Sequence, residues 1–522
     1  MLHAGRVQYG MLATLRAATV VGIQAHMVEV EVDVGRGAAK EVVVGLPDAA
    51  IKESKDRVQS ALQNSGYRHP GGGGRLAINL APADLRKEGP LFDLPIAMGI
   101  LAATEQEKFD GLQGDLIVGE LAFNGDVRGV KGMLPVALAA RELRVRRLIV
   151  PKANAREAAM VHGLEIYGVR TLRDAADFLA GRAALDQEAP GTMDELEPDA
   201  PGHADFADVK GQESVKRALE IAAAGGHNLL MIGSPGSGKS MLAKRMPSIL
   251  PAMTLDEALE TTRIHSVAGL LPAGRSLVGQ RPFRSPHHTI SDVGLIGGSA
   301  NPSPGEVSLA HHGVLFLDEL PEFKRSALEV LRQPLEDGQV TISRAAGTLT
   351  FPSRFILLAA MNPTPTGGFD DVQRGKISST AAQKYLNKVS GPLLDRIDIH
   401  IEVPAVKHEQ LMRPGQGEAS AAIRARVEAA RAVQRERFRS RRGIWCNAQM
   451  GPKELKAHAV LDADGENLLR FAMADQKLSA RAYDRILKVA RTIADLAGSA
   501  AIRADHLGEA VQYRSLDRQV WG

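Results

Sequence analysis

The stretch that most restricts this chain is Gly233-Ser-Pro-Gly-Ser-Gly-Lys239-Ser240. Its glycines let the backbone wrap tightly and turn N–H groups inward, while the lysine adds positive charge and the serine a hydroxyl. The apolar run Asn228-Leu-Leu-Met-Ile232 leads straight into it, and a helix is expected from about Lys239. Strand, glycine loop and helix N-terminus in that order make a cradle for phosphate. A glycine-rich turn without chemistry is the competing reading, and the flanking elements weigh against it. An α/β core with a parallel sheet follows.

Two further runs end where such a core needs chemistry. Gly313-Val-Leu-Phe-Leu317-Asp318-Glu319 is an apolar strand closed by two carboxylates. The first suits a magnesium ion beside the phosphates, and the second suits the attacking water. Alone, the run reads equally well as a buried strand with a solvated acidic tip. Arg354-Phe-Ile-Leu-Leu-Ala-Ala-Met361 ends at Asn362-Pro363, which places a polar side chain at a strand edge or else marks a simple turn. The long interval between Lys239 and Asp318 leaves room for an insertion.

A chain of 522 residues exceeds one ordinary core, so two or three domains are expected. The net charge of +3 advertises no global affinity for nucleic acid, so any basic surface must be local. One cysteine, Cys446, excludes an intrachain disulfide and a multi-cysteine metal site. No apolar run is long enough to span a bilayer, and the first residues lack a secretory pattern, so no membrane association and a cytoplasmic location are expected. Val28 to Val34 alternates with period two and predicts a half-buried strand. Asp48 to Ser65 predicts a helix closed by Gly66, and Leu76–Leu80, Asp115–Gly119 and Arg147–Val150 predict strands. Leu134 to Arg144 predicts a short helix. The segment from about Ala184 to His203, rich in Pro, Gly, Asp and Glu, predicts a solvated linker, and helices dominate after about Gln410.

Gly391-Pro-Leu-Leu-Asp-Arg396-Ile-Asp398 and Leu478-Ser-Ala-Arg481-Ala-Tyr-Asp-Arg485 follow these motifs in order. The whole chain resembles the YifB/ComM family of bacterial magnesium-chelatase-like AAA+ ATPases, in the helix-2-insert branch. That resemblance implies an α/β fold with three parts: a Lon-protease-like α+β domain over 1–183, an AAA+ core over 206–408 after a linker over 184–205, and a helical lid over 409–522. It implies ATP held by Gly233, Ser234, Pro235, Gly236, Ser237, Gly238, Lys239 and Ser240, with Mg2+ on Ser240 and Asp318. Glu319 would prepare the water and Asn362 would be sensor 1. Arg396 would be the finger reaching a neighbouring subunit's nucleotide, and Arg481 would be sensor 2 on the nucleotide of its own subunit. Leu270 to Gly305 would be the insert, and Asp337 to Phe351 a hairpin turning near Ala345–Gly347, with Arg344 near the tip. Relatives carry cysteines after Asn-Pro where this chain has Thr364 and Thr366, so Asp370 to Lys388 is expected to be a looser loop.

Lon proteases carry their nucleophile where this chain has Leu91, and their lysine base falls at Leu134, with Lys131 three residues earlier. A serine–lysine dyad needs both groups, so peptidase chemistry is not expected. Gly71–Gly74 with Arg75, and the basic run Arg424 to Arg442, are read as DNA contacts or as ordinary solvated surface. His287 and His288 lack ligand-type neighbours in sequence and suit polar surface or packing roles better than metal ligation. The family implies a hexameric DNA motor that promotes branch migration in recombination during natural transformation. A chelatase motor and a protein-remodelling ATPase are the rival readings.

Overall fold

The computed structural model describes residues 12–36, 40–70, 74–87, 89–109, 111–192, 204–271, 275–298, 302–344, 347–405, 417–441, 443–476 and 478–516. They divide into two compact units, 1–197 with 258–279, and 198–257 with 280–522. The expected core over 206–408 is thus interrupted, because residues 258–279 pack within the first unit. Ser266 shows how: its carbonyl accepts from Gly132 N at 3.2 Å, and its hydroxyl donates to Glu157.

In the first unit the strands are β1 (Leu12–Val21), β2 (Gln24–Arg36), β3 (Lys40–Val44), β4 (Gly74–Ala81), β5 (Asp115–Ile117), β6 (Glu120–Leu121), β7 (Val127–Arg128), β8 (Arg147–Pro151) and β9 (Glu165–Val169). Seven form one mixed sheet in the order β3-β4-β2-β1-β5-β8-β9, and β6 and β7 pair separately. The alternation read in β2 holds: Val28, Val30, Val32 and Val34 are buried, while Glu29 and Asp33 are exposed. The helix Ala49–Asn64 starts on Asp48, whose carboxylate accepts from Ile51 N at 2.8 Å, and Gly66 follows it in the left-handed region at φ 84°. The helix Asp93–Ala103 lies close on the sheet, since a Cβ on Gly99 would meet Val32 Cγ2 at 2.5 Å.

Asp93 is fully buried and anchors that helix. Its carboxylate accepts from Ser54 Oγ, from Arg57 Nε at 2.7 Å and from Leu121 N at 3.2 Å. The expected linker begins later than composition suggests. Gln187 bridges to Tyr167 on β9, Glu188 N donates to Ile166 O at 2.8 Å, and Gly191 N donates to Ala159 O at 3.0 Å. Backbone bonding to the sheet edge outweighs the polar composition of 184–191. The rest of the linker and Gly71–Gly73 lie largely outside the described residues.

The second unit is built on five parallel strands in the order β11-β12-β15-β10-β16: β10 (Leu229–Ile232), β11 (Phe283–Arg284), β12 (Val314–Leu317), β15 (Ile356–Met361) and β16 (Ile399–Glu402). The runs in β10, β12 and β15 are buried throughout, as expected of a parallel sheet covered on both faces. Part of the expected insert is therefore core: Phe283–Arg284 is a sheet strand. Strands β13 (Gln339–Arg344) and β14 (Gly347–Pro352) form the expected antiparallel hairpin, with register Arg344↔Gly347. The turn residues 345–346 and the Arg344 side chain lie outside what is described, as do 272–274 and 299–301 of the insert. Helices Ser420–Phe438, Pro452–His458, Ala463–Asp475, Ala480–Leu496 and Ala504–Gln512 complete the unit.

Much of the basic run spends its charge internally. Arg426 pairs with Glu220 and Glu418, Arg424 with Glu428, and Arg437 with Asp495. No helix among the described residues is long and apolar enough to cross a membrane.

Asp93→Ala would leave the Arg57 guanidinium, only 18% exposed, without its carboxylate partner. We expect it to destabilise the first unit by about 3 kcal/mol or more, read as a lowered urea midpoint.

Candidate functional site

Parallel strands bring their C-terminal ends to one edge of the sheet, where ligands of open α/β folds bind. At that edge β10 delivers Gly233, β12 delivers Asp318 and Glu319, and β15 delivers Asn362. The loop at Gly233 is fixed by space: a Cβ there would meet Val403 O at 2.4 Å and Ser237 Oγ at 2.9 Å. Gly236 and Gly238 sit at φ 78° and 93°, in the region L side chains avoid. The helix Lys239–Ala243 begins at the lysine.

Lys239 is 8% exposed, and its ammonium donates to Gly233 O at 2.7 Å, Ser234 O at 3.1 Å and Asn362 Oδ1 at 3.1 Å. Burial lowers its pKa, with Asp318 and Glu319 opposing the shift. Ser240 Oγ donates to Asp318 Oδ2 at 2.5 Å, so a hydroxyl and a carboxylate oxygen already converge as a hard cation requires. Among the described residues Ser237 Oγ, which is buried, has no hydrogen-bond partner, an orphan donor inside the loop. Residues and geometry thus fit a magnesium–triphosphate: an unsatisfied hydroxyl, a movable ammonium and an oxygen pair.

Glu319 adopts φ 54°, and its side chain is 59% exposed. Sequence reasoning missed two neighbours. His288 Nδ1 lies 3.4 Å from Glu319 Oε2, and the His287 ring lies tilted beside its own with centroids 4.1 Å apart, so the pair borders the Glu319 carboxylate. Gln212, buried, donates from Nε2 to Ser237 O at 2.6 Å and steadies the loop. The segment after Asn362 is also tighter than expected. Asp371 accepts from Thr366 Oγ1 and Gly368 N, each at 2.7 Å, and pairs with Lys376. Gly367 lies so near Pro235 that a Cβ would be 2.6 Å from its ring. Threonine hydroxyls on one aspartate tie the loop, and the Thr366 bond first among them holds Asp371 below the usual carboxylate range.

The two arginines are not brought to this edge. Asn228, just before β10, donates from Nδ2 to Arg396 O at 3.0 Å, so Arg396 sits at the N-terminal ends of the strands. Gly233 is five residues on, about 16 Å at the usual strand rise, which is beyond the reach of an arginine side chain. Arg396 is 8% exposed, bonded to Pro392 O at 2.7 Å and ion-paired with Glu336. Arg481, 63% exposed, lies 3.6 Å from Asp395 at the same end. At that end it is remote from the phosphate loop of its own chain. Its place in the helix Ala480–Leu496 is set by Arg485, which pairs with buried Asp398 at 2.8 Å.

Comparison with known proteins now adds to the geometry. Family models for the magnesium chelatase subunit ChlI match residues 205–411 and 30–154, and one for its C-terminal part matches 417–514. Competence protein ComM of Haemophilus influenzae is 45% identical over 97% of this chain and 98% of its own length. YifB of Escherichia coli K12 is 43% identical, with the same two coverages. The chain belongs to the YifB/ComM family. It is a ChlI-like AAA+ ATPase, and the family implies use of nucleotide and Mg2+. The 38 kDa magnesium-chelatase subunit of Rhodobacter capsulatus is more distant, 24% identical over 30% of this chain and 50% of its own.

Gly233→Ala should weaken binding of a fluorescent ATP analogue by about tenfold or more, since overpacking of this kind costs about 1–3 kcal/mol. Unchanged affinity would mean that the loop opens elsewhere before nucleotide enters.

Proposed function

We propose that this protein is an ATP-driven DNA motor that assembles as a hexameric ring and promotes branch migration in homologous recombination, in the setting of natural transformation. The observation that carries the ring is the placement of Arg396 and Arg481 at the far ends of the strands from their own phosphate loop. Both then act on a neighbour's nucleotide, and a head-to-tail interface of that kind closes into a ring. DNA as substrate is supported by near full-length likeness to a protein named for competence and by the hairpin β13–β14. Likeness to the magnesium-chelatase subunit of Rhodobacter capsulatus is weaker, 24% identical over 30% of this chain, and speaks less for a porphyrin pathway.

In this reading Gly233 to Ser240 hold ATP, and Ser240 and Asp318 would hold Mg2+, whose charge would offset that of the phosphates. Lys239 leaves its loop carbonyls for phosphate oxygens. Glu319 takes the proton of the attacking water, and Asn362 orients that water. We assign the Lon-protease-like domain to 1–183 with 184–191 and 258–279 packed in the same unit, the linker to the rest of 184–205, the core to the remainder of 206–408 and the lid to 409–522. The first domain serves as scaffold or DNA contact: Leu91 and Leu134 are both buried in its apolar interior.

ATPase rate with and without a four-way DNA junction tests the proposal. Glu319→Gln should bind ATP and assemble yet hydrolyse about a hundredfold more slowly or worse, as loss of a general base does. Lys239→Ala and Arg396→Ala should each be inactive alone, while mixing them should restore part of the rate, because one subunit supplies the loop and its neighbour the arginine. An ATPase indifferent to DNA, with no branch migration, would sink the motor reading, and failure of the mixture would sink the trans assignment.

A further inference from the structure

Arg396 has a partner that the site described above does not use. Its guanidinium is ion-paired with Glu336, while its own Nε is buried and has no partner among the described residues. Glu336 is 61% exposed, and Arg396, Arg481 and Arg485 all depress its pKa, the bond to Arg396 most. One carboxylate thus faces the two arginines assigned to the neighbouring nucleotide. Glu336 belongs to the helix Arg332–Asp337, which ends at Gly338 in the left-handed region and passes directly into β13. The start of the hairpin is stitched to that helix end: Gly338 N donates to Pro334 O at 3.0 Å, and Ser353 N, just past β14, donates to Gly338 O at 2.9 Å. A cavity of about 480 Å³ opens beside Arg396 and Glu336, with Val340 of β13 on its wall.

We propose that Glu336 is a positioning residue that holds Arg396 in the free subunit, and that exchanging this carboxylate for a neighbour's phosphate frees the helix end carrying the hairpin. The argument is one of competition. A guanidinium bonded to Glu336 cannot direct the same N–H groups at a phosphate, so engaging the neighbour's nucleotide breaks the ion pair. Glu336 then loses its main tie, and the segment that loosens is the one that sets the base of β13 and β14. The nucleotide between two subunits and the hairpin of one of them become coupled through a single carboxylate. Coupling between sites is reciprocal, so a ligand that moves the hairpin also releases Arg396. This inference rests on the reading of Arg396 as a trans residue and of the hairpin as the DNA-contacting element.

The test uses the full chain, with ATPase measured against protein concentration with and without a four-way junction, for wild type, Glu336→Gln, Glu336→Asp and Arg396→Ala. Glu336→Gln should raise the rate without DNA by about fivefold, the lower end of usual coupling between sites, and bring stimulation by DNA close to none. Glu336→Asp, which keeps the charge, should restore most of the stimulation. A merely structural role predicts instead a lowered melting temperature and a loss of rate under both conditions, and that result overturns the inference. So does a Glu336→Gln chain with wild-type stimulation while Arg396→Ala is inactive. If Arg396→Ala hydrolyses ATP like the wild type, the trans reading itself fails, and the inference falls with it.

Discussion

Asn228 is the residue on which the geometry of the second unit depends. Its side-chain carbonyl accepts from Leu357 N at 2.9 Å, its amide donates to Arg396 O, and its backbone carbonyl accepts from Asp398 N and Ile399 N. One buried amide therefore fixes the starts of β10, β15 and β16 relative to one another. Asp398 completes the clamp, accepting from Asn228 N at 3.1 Å, His227 Nδ1 at 3.3 Å and Arg485 Nη1 at 2.8 Å. Burial by itself would raise the pKa of Asp398, yet Arg485 and His227 hold it below the ordinary carboxylate range. From this fixed end, strand length alone decides where the phosphate loop lies and where the arginines cannot reach.

That dependence explains which parts of the site were legible in the sequence. The phosphate loop and Leu317-Asp318-Glu319 are local: their chemistry sits in contiguous residues beside the strands that carry them. The side of the sheet on which Arg481 ends up is not local. It follows from the parallel order of five strands and from Arg485 meeting Asp398, 87 residues apart in sequence. Strand β11 is two residues long and carries no readable period that would set it apart from the insert around it. His288 looked like surface because its partner Glu319 is brought to it only by the pairing of β11 with β12. In the first unit the alternation in β2 was plain, whereas the docking of 187–191 on β9 rests on backbone groups that side-chain identity does not report.

The cations of the site have resting partners within the chain. Lys239 is bonded to carbonyls of its own loop, Ser240 to Asp318, Arg396 to Glu336 and Arg481 to Asp395. A buried charge left bare would cost several kcal/mol, so a subunit without ligand has to supply such partners. The partners are weak enough to be displaced: two are neutral carbonyls, and Glu336 is exposed to solvent, which screens its attraction. A triphosphate offers several charged oxygens at once and replaces neutral acceptors with anionic ones, which make hydrogen bonds roughly twice as strong. Binding is then an exchange of partners rather than the filling of a bare site. The free energy released depends on how poor the resting partners are, and for that reason a carboxylate such as Glu336 can set the threshold at which a neighbour's nucleotide is felt.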